Sequence, residues 1–195
     1  MSRAKVQAGG IIRKSLDNSW QTPEWILDAV RAYFGGPIGF GPSSAPENPT
    51  KATRFCCGAP GSMFAAQTGQ NGLDVEWPSR GTYCNPPYGT ELRAWLGKFS
   101  AEAARGVEIV ALLPCSRWET AYFHETLSRA SLMCLLRGRV AFVSSLDGAE
   151  VPGNCSGSML LGFNVDRDRW AASFGDLGLT LSVAPLPRAI APEAP

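Results

Sequence analysis

Thr82-Tyr83-Cys84-Asn85-Pro86-Pro87-Tyr88-Gly89 is the stretch on which the reading of this chain turns. Thr82–Cys84 is a brief apolar run of strand-forming residues. It stops at Asn85, after which two prolines remove two backbone donors and stiffen the chain. A Pro-Pro pair behind a strand is also an ordinary rigid turn. The flanking Asn85 and Tyr88 tip the reading toward a site.

Periodicity extends the pattern in both directions. Downstream, Glu91–Ala104 has good helix formers with Leu92, Trp95, Leu96 and Phe99 on one face. Val107–Leu113 is a continuous apolar run ended by Pro114, as expected of a buried strand. Trp118–Ser128 reads as a helix, and Leu132–Leu136, Arg139–Ser144 and Ser158–Asn164 read as strands. Upstream, Thr22 as N-cap, Pro23 at the first helical position and Glu24 in the first turn start a helix that Gly35-Gly36 ends. Residues 37–42 form a short candidate strand, and the Gly, Pro, Ser and Asn of residues 43–72 predict irregular chain. Strands alternating with helices predict an α/β protein with a mainly parallel sheet and helices on both faces. The last strands follow one another without a helix, which predicts an antiparallel hairpin at one edge. Residues 1–19 read as a flexible arm, 20–184 as one domain and 185–195 as a Pro/Ala-rich tail. In such sheets ligands bind beyond the carboxyl ends of the strands, where both Asn85 and Pro114 fall.

The 195 residues, 45% hydrophobic and 18% charged, have the balance of a globular core. No apolar run approaches the roughly 20 residues that cross a bilayer. The first ten residues lack a secretory signal, so a cytoplasmic protein is expected. Six cysteines, none in a C-x-x-C arrangement, and a single histidine, His124, predict no metal site. A net charge of +1 gives no global basic footprint, although 18 Lys and Arg suffice for one basic face.

The Asn-Pro-Pro-Tyr chemistry suits a planar amino group. Asn85 offers a side-chain acceptor, the proline pair a fixed backbone carbonyl, and Tyr88 a flat face for a ring. A nitrogen conjugated to a ring is a poor nucleophile, and two acceptors on its hydrogens favour a tetrahedral nitrogen with a more available lone pair. A methyl donor must then lie in line, within about 3–3.5 Å. A base inside a duplex must first be flipped out. Asp17, Asp28, Glu47, Asp74, Glu76 and Glu119 form no evident acid pair, and phosphate-loop and G-x-G-x-x-G signatures are absent.

Asn85-Pro86-Pro87-Tyr88 is the signature of amino-methyltransferases with a Rossmann-like fold. The wider pattern resembles the small phage-type DNA N6-adenine methyltransferases of the Dam family. It comprises Trp20-Gln21-Thr22-Pro23, residues 42–48, Gly72-Leu73 with Trp77, residues 83–89, Trp95-Leu96, residues 112–114, and Gly138-Arg139 with Phe142. The pieces run in the family's order from about residue 20 to 163. The resemblance implies S-adenosylmethionine as cofactor, double-stranded DNA as partner, and a phage gene whose product acts in the host cytoplasm. It implies that Asn85, Pro86, Pro87 and Tyr88 form the target-base pocket. Trp20, Thr22 and Pro23 would then pack against the cofactor's methionine part, with Gly41, Pro42 and Ser43 beside its amino-acid group or ribose. Asn71 and Leu73 would lie at its adenine, with the Asn71 side-chain oxygen on the adenine amino group. For Arg117, Trp118, Arg137 and Arg139, DNA contact stands beside a helix-start or solvated-surface reading. His124, beside Glu125, reads as a surface or helix-packing residue.

The chain departs from the family at Gly39 and Gly41, where acidic residues are usual. Loss of a carboxylate there is expected to weaken cofactor binding by about 1–3 kcal/mol. Two other readings follow: methylation of another planar amine or amide, such as an RNA base or a protein glutamine, and a binding protein that has lost its cofactor through the two glycines.

Overall fold

A computed structural model describes residues 20–57, 71–116, 118–144, 148–151 and 156–183. In chain order these form β1 (Trp20–Gln21), α1 (Glu24–Phe34), β2 (Phe40–Ser44), β3 (Arg54–Cys57), β4 (Thr82–Cys84), α2 (Leu92–Ala104) and β5 (Ile109–Pro114). Then follow α3 (Ala121–Leu127), β6 (Leu132–Leu136), β7 (Phe142–Ser144), β8 (Glu150–Val151), β9 (Ser158–Phe163), α4 (Arg167–Phe174) and β10 (Gly178–Ser182).

The result is a mixed α/β fold around a seven-stranded sheet in the order β10-β6-β9-β5-β4-β2-β3. Strands β2 to β6 run parallel to one another, while β9 and β10 run against them. All six residues of β5 are buried, as a strand covered on both faces requires. Its side chains alternate: Ile109, Ala111 and Leu113 join a core with Trp95, Leu96 and Phe99 of α2 and Phe123 of α3. Val110 and Leu112 join a second core with Ile26, Val30 and Tyr33 of α1 and Trp170 and Phe174 of α4. Helices therefore cover both faces.

The expected edge hairpin takes a different form. β9 is an interior strand, hydrogen-bonded to β5 on one side and β6 on the other. Its unbroken apolar run suits that doubly covered place, since every residue from Ser158 to Phe163 is buried. The edge is β10, which follows α4. Residues 142–144 leave the large sheet and form a small antiparallel one with β1 and β8. The strand expected at 37–42 begins later, at Phe40. The stretch expected to be irregular contains β3, parallel to β2. The arm and the Pro/Ala-rich tail lie outside the described residues.

At the amino-terminal end of β5 a buried polar group joins the two helices of one face. Tyr33 donates to the Glu108 carboxylate at 2.8 Å, and the Asp166 backbone N–H donates to the Tyr33 oxygen at 3.0 Å. Arg169 adds an ion pair to Glu108 at 3.3 Å and lies over the Tyr33 ring. Burial, then the Glu108 bond, pushes the Tyr33 phenol well above its ordinary value, so it remains a donor. Tyr33→Phe is expected to destabilise the fold by about 1–3 kcal/mol, the scale of a buried acceptor losing its donor. A lower urea midpoint with an unchanged slope is the expected readout.

Candidate active site

Five parallel strands end at one rim, and the strand order reverses there. From β2 the chain moves outward to β3, then returns to lay β4 on the other side of β2. A reversal of this kind opens a crevice between two carboxyl ends, where open α/β sheets bind ligands. The flanking residues are Ser44 of β2 and Asn85, which follows β4. Each carries a side-chain oxygen shielded from solvent and without a hydrogen-bond partner. An acceptor left so costs about 1–3 kcal/mol, and such atoms in a crevice mark places where a ligand completes the bonding.

The orientation of Asn85 is set from outside its own loop. Its Nδ2 donates to the Trp20 backbone carbonyl at 3.0 Å, which turns Oδ1 the other way. Two residues after Trp20 and two before Asn85, Thr22 Oγ1 and the Tyr83 hydroxyl lie 2.8 Å apart in a buried hydrogen bond. Thr22 is therefore not the side-chain cap of α1 that its place in the sequence suggested. Pro23 occupies the cap position with no side-chain bond, and the threonine hydroxyl is committed to β4. The expected strand at 82–84 is thus tied to the segment that leads into α1.

Tyr88 is anchored by its hydroxyl, which donates to the Leu112 carbonyl of β5 at 3.3 Å. Its ring meets Phe142 edge-on at 6.1 Å, and Phe142 in turn meets Trp20 edge-on at 5.7 Å. Burial pushes the Tyr88 and Tyr83 phenols well above their ordinary value, so both are neutral groups at physiological pH. Neither is a base. Trp20, Thr22, Pro23, Asn85, Pro86, Pro87 and Tyr88 thus come together from segments more than sixty residues apart.

The second wall of the crevice is built on glycine. A Cβ on Gly72 would lie 2.0 Å from the Pro42 carbonyl oxygen, so only glycine lets this loop rest on the end of β2. The loop is closed by Trp77 Nε1, which donates to the Gly72 carbonyl at 2.8 Å. Within it, Asn71 Oδ1 accepts the Leu73 backbone N–H at 3.0 Å. The oxygen assigned by resemblance to a ligand's amino group is therefore already engaged inside the loop. Leu73 is half-buried against the core shared with α2.

Gly39 has a packing reason that Gly41 lacks. A side chain on Gly39 would face the carbonyl oxygens of Gly81 at 3.3 Å and Arg80 at 3.5 Å, surroundings that repel a carboxylate. At Gly41 an added Cβ would meet Thr50 Oγ1 and Ala52 Cβ at 3.4 Å, ordinary contact distances that leave room for it. Asn48 holds those two residues: its Oδ1 accepts from Thr50 and from the Ala52 N–H, and its Nδ2 donates to the Ala52 carbonyl. Ser43, half-buried, stands next along β2.

Trp118 is exposed where the chain leaves β5 for α3, on this same rim. Arg137 and Arg139 are exposed on either side of Gly138, just past the end of β6. Three strand spacings separate that end from β4, or about 14 Å. Arg117 lies outside the described residues. His124 is exposed on α3. The sequence reading quoted Ser44 and Tyr83 within the family pattern but gave neither a role at the site.

Gly72→Ala is expected to push the loop off β2 and lower the thermal midpoint by several degrees, the consequence of overpacking by about 1–3 kcal/mol. Differential scanning calorimetry of the purified variant measures this.

The rim also agrees with comparisons to known proteins. A family model described as DNA N-6-adenine-methyltransferase (Dam) matches residues 10–173. A DNA N-6-adenine-methyltransferase of Haemophilus phage HP1 (strain HP1c1) is 26% identical over 152 residues, covering 77% of this chain and 81% of the relative. The match runs through both walls of the crevice, and the chain belongs to the DNA N-6-adenine-methyltransferase (Dam) family, a family of enzymes.

Proposed function

We propose that this enzyme transfers a methyl group from S-adenosylmethionine to the N6 amino group of adenine in DNA, with the target base turned out of the duplex into the crevice between β2 and β4. The observation that carries the reading is Asn85 Oδ1, an unpartnered acceptor at the point where the strand order reverses. An acceptor fixed in advance, in a place with little water, is worth far more to a developing charge than the same group in solvent.

The residues fit the cofactor on their own chemistry. Ser44 Oγ is buried without a partner at the end of β2, available to a hydroxyl or carboxylate of a ligand. The Gly72–Pro42 contact keeps that wall low, and Gly41, Pro42 and Ser43 supply backbone beside it. Asn71 and Leu73 line the next turn, where Asn71 Nδ2 is the polar group not used in the Asn71–Leu73 bond. Trp20, Thr22 and Pro23 close the third side; here Thr22 contributes surface rather than its hydroxyl, which Tyr83 holds. When bound, the cofactor supplies an electrophilic methyl group. With these groups available, cofactor binding does not depend on carboxylates at 39 and 41, and at Gly39 the Gly81 carbonyl oxygen, 3.3 Å from an added Cβ, leaves little room for a side chain.

Asn85 Oδ1 and the backbone carbonyl of the Pro86-Pro87 unit each hold one hydrogen of the adenine amino group. This favours a pyramidal nitrogen whose lone pair is free to attack. Asn85 Oδ1 keeps its hydrogen until it departs as a proton to water. The neutral phenols of Tyr83 and Tyr88 take no part in that transfer. Tyr88, tied to Leu112 and packed on Phe142, gives the base a rigid aromatic neighbour. Trp118, Arg137 and Arg139 are suited to the DNA backbone around the flipped base, because they stand on the same rim. The phage source of the HP1 relative supports a phage-encoded enzyme acting in a host cytoplasm.

The test is incorporation of labelled methyl from S-adenosylmethionine into duplex DNA, RNA and a glutamine-bearing peptide offered side by side. Label is expected in N6-methyladenine of DNA, with Asn85→Ala reducing it by about 10²–10³-fold, the usual cost of removing one aimed hydrogen-bonding group. Undiminished transfer by that variant, or label in RNA or peptide alone, refutes the assignment.

A further inference from the structure

We propose that the Trp20 backbone carbonyl is the positioning group that makes Asn85 an acceptor, so that the site is competent only while β1 is docked beside β4. This rests on the methyl-transfer reading of Asn85, but its physical core is independent of it. A primary amide has an oxygen edge and an NH2 edge, and a half-turn about its last torsion exchanges them. Turned the wrong way, Asn85 would present hydrogens to an amino group that also carries hydrogens. A carbonyl can only accept. With the Trp20 oxygen 3.0 Å from the side chain, the NH2 edge is drawn to it and the oxygen edge is left toward the crevice.

Trp20 is itself held by three further contacts. β1 pairs with β7 through Trp20–Ser144 and Gln21–Val143, and the Trp20 ring packs on Phe142. The Thr22–Tyr83 bond fixes the segment again two residues on, opposite the residue two before Asn85. The carbonyl's place is therefore set by tertiary structure rather than by the Asn85 loop.

The consequence is that Asn and Asp are not interchangeable at this position. A carboxylate at residue 85 would set a second acceptor against the Trp20 carbonyl. Only its protonated form restores a donor to Trp20 while keeping an oxygen toward the crevice. Tyr83, Cys84, Tyr88 and Cys115 are titratable groups at this end of β4 and β5, and burial favours the neutral form of each. β1 and β7 contribute no ionisable side chain, and Glu24 at the start of α1 is paired with Lys51 and Arg31.

The experiment compares Asn85→Asp with the parent enzyme in two measurements. In the first, kcat for DNA methylation is followed from about pH 6 to about pH 9, a range over which buried carboxyls lose their proton. The variant's kcat is expected to fall about tenfold per pH unit above the carboxyl's pKa, a limb absent from the parent's profile. In the second, the thermal midpoint is followed against pH without substrate. A carboxyl whose folded pKa is raised contributes stability at low pH and loses it as pH rises from its unfolded value near about 4 through the raised one. The variant's midpoint is therefore expected to fall relative to the parent's across that window. An Asp variant with the parent's kcat profile, or one inactive at every pH while folded and still binding cofactor, overturns the proposal. A midpoint difference that does not change with pH also overturns it. If the parent methylates no nucleic acid, the methyl-transfer reading fails while the midpoint comparison still decides the Trp20 contact.

Discussion

Covering β4 and β5 on both faces leaves their ends as the only parts of these strands open to a ligand. Side chains along them are spent on two cores, one with α1 and α4, the other with α2 and α3. Polar chemistry within that sandwich would carry the cost of unsatisfied burial. The polar side chains used at the site stand instead where two of the strands stop. Asn85 follows β4 directly and Ser44 closes β2, and the reversal of strand order puts these two stops on either side of one crevice. The location of the site is a consequence of how the sheet is buried.

Around that crevice the chain uses backbone as much as side chains. Trp20 acts through its carbonyl, Gly72 through the Cβ it lacks, and Gly39 through its closeness to the Gly81 carbonyl. The two kinds of contact differ in tolerance: a missing Cβ can be supplied by no other residue, whereas a main-chain oxygen is carried by every residue and depends only on where the backbone lies.

What was legible in the sequence was what local chemistry determines. Thr82–Cys84 and Leu132–Leu136 stand out as apolar runs with clear stops, and the helix over Glu24–Phe34 follows from its period. α4 was missed because Arg167-Asp168-Arg169 masks an apolar face reduced to Trp170 and Phe174. Its signal was present in Asp166, whose side chain accepts the Arg169 N–H as an N-cap. β3 was missed because a four-residue edge strand in Gly- and Pro-rich surroundings carries too little pattern. The place of β9 between β5 and β6 depends on pairing across distant segments, which no window of sequence contains. At the site, the identity of the acceptor was readable and its orientation was not, since that depends on a carbonyl 65 residues away. Thr22 shows the same limit: its neighbours argue for a helix cap, and a tyrosine on β4 outbids them.

The buried carboxylate of Glu108, gripped by Tyr33 and Arg169, sits at the opposite end of the sheet from the crevice. Anchoring and chemistry are thereby separated along the strand axis. Loops at one end can vary while the far end keeps the two helices of one layer in place. A small enzyme with this division can change what it recognises without relearning how to fold.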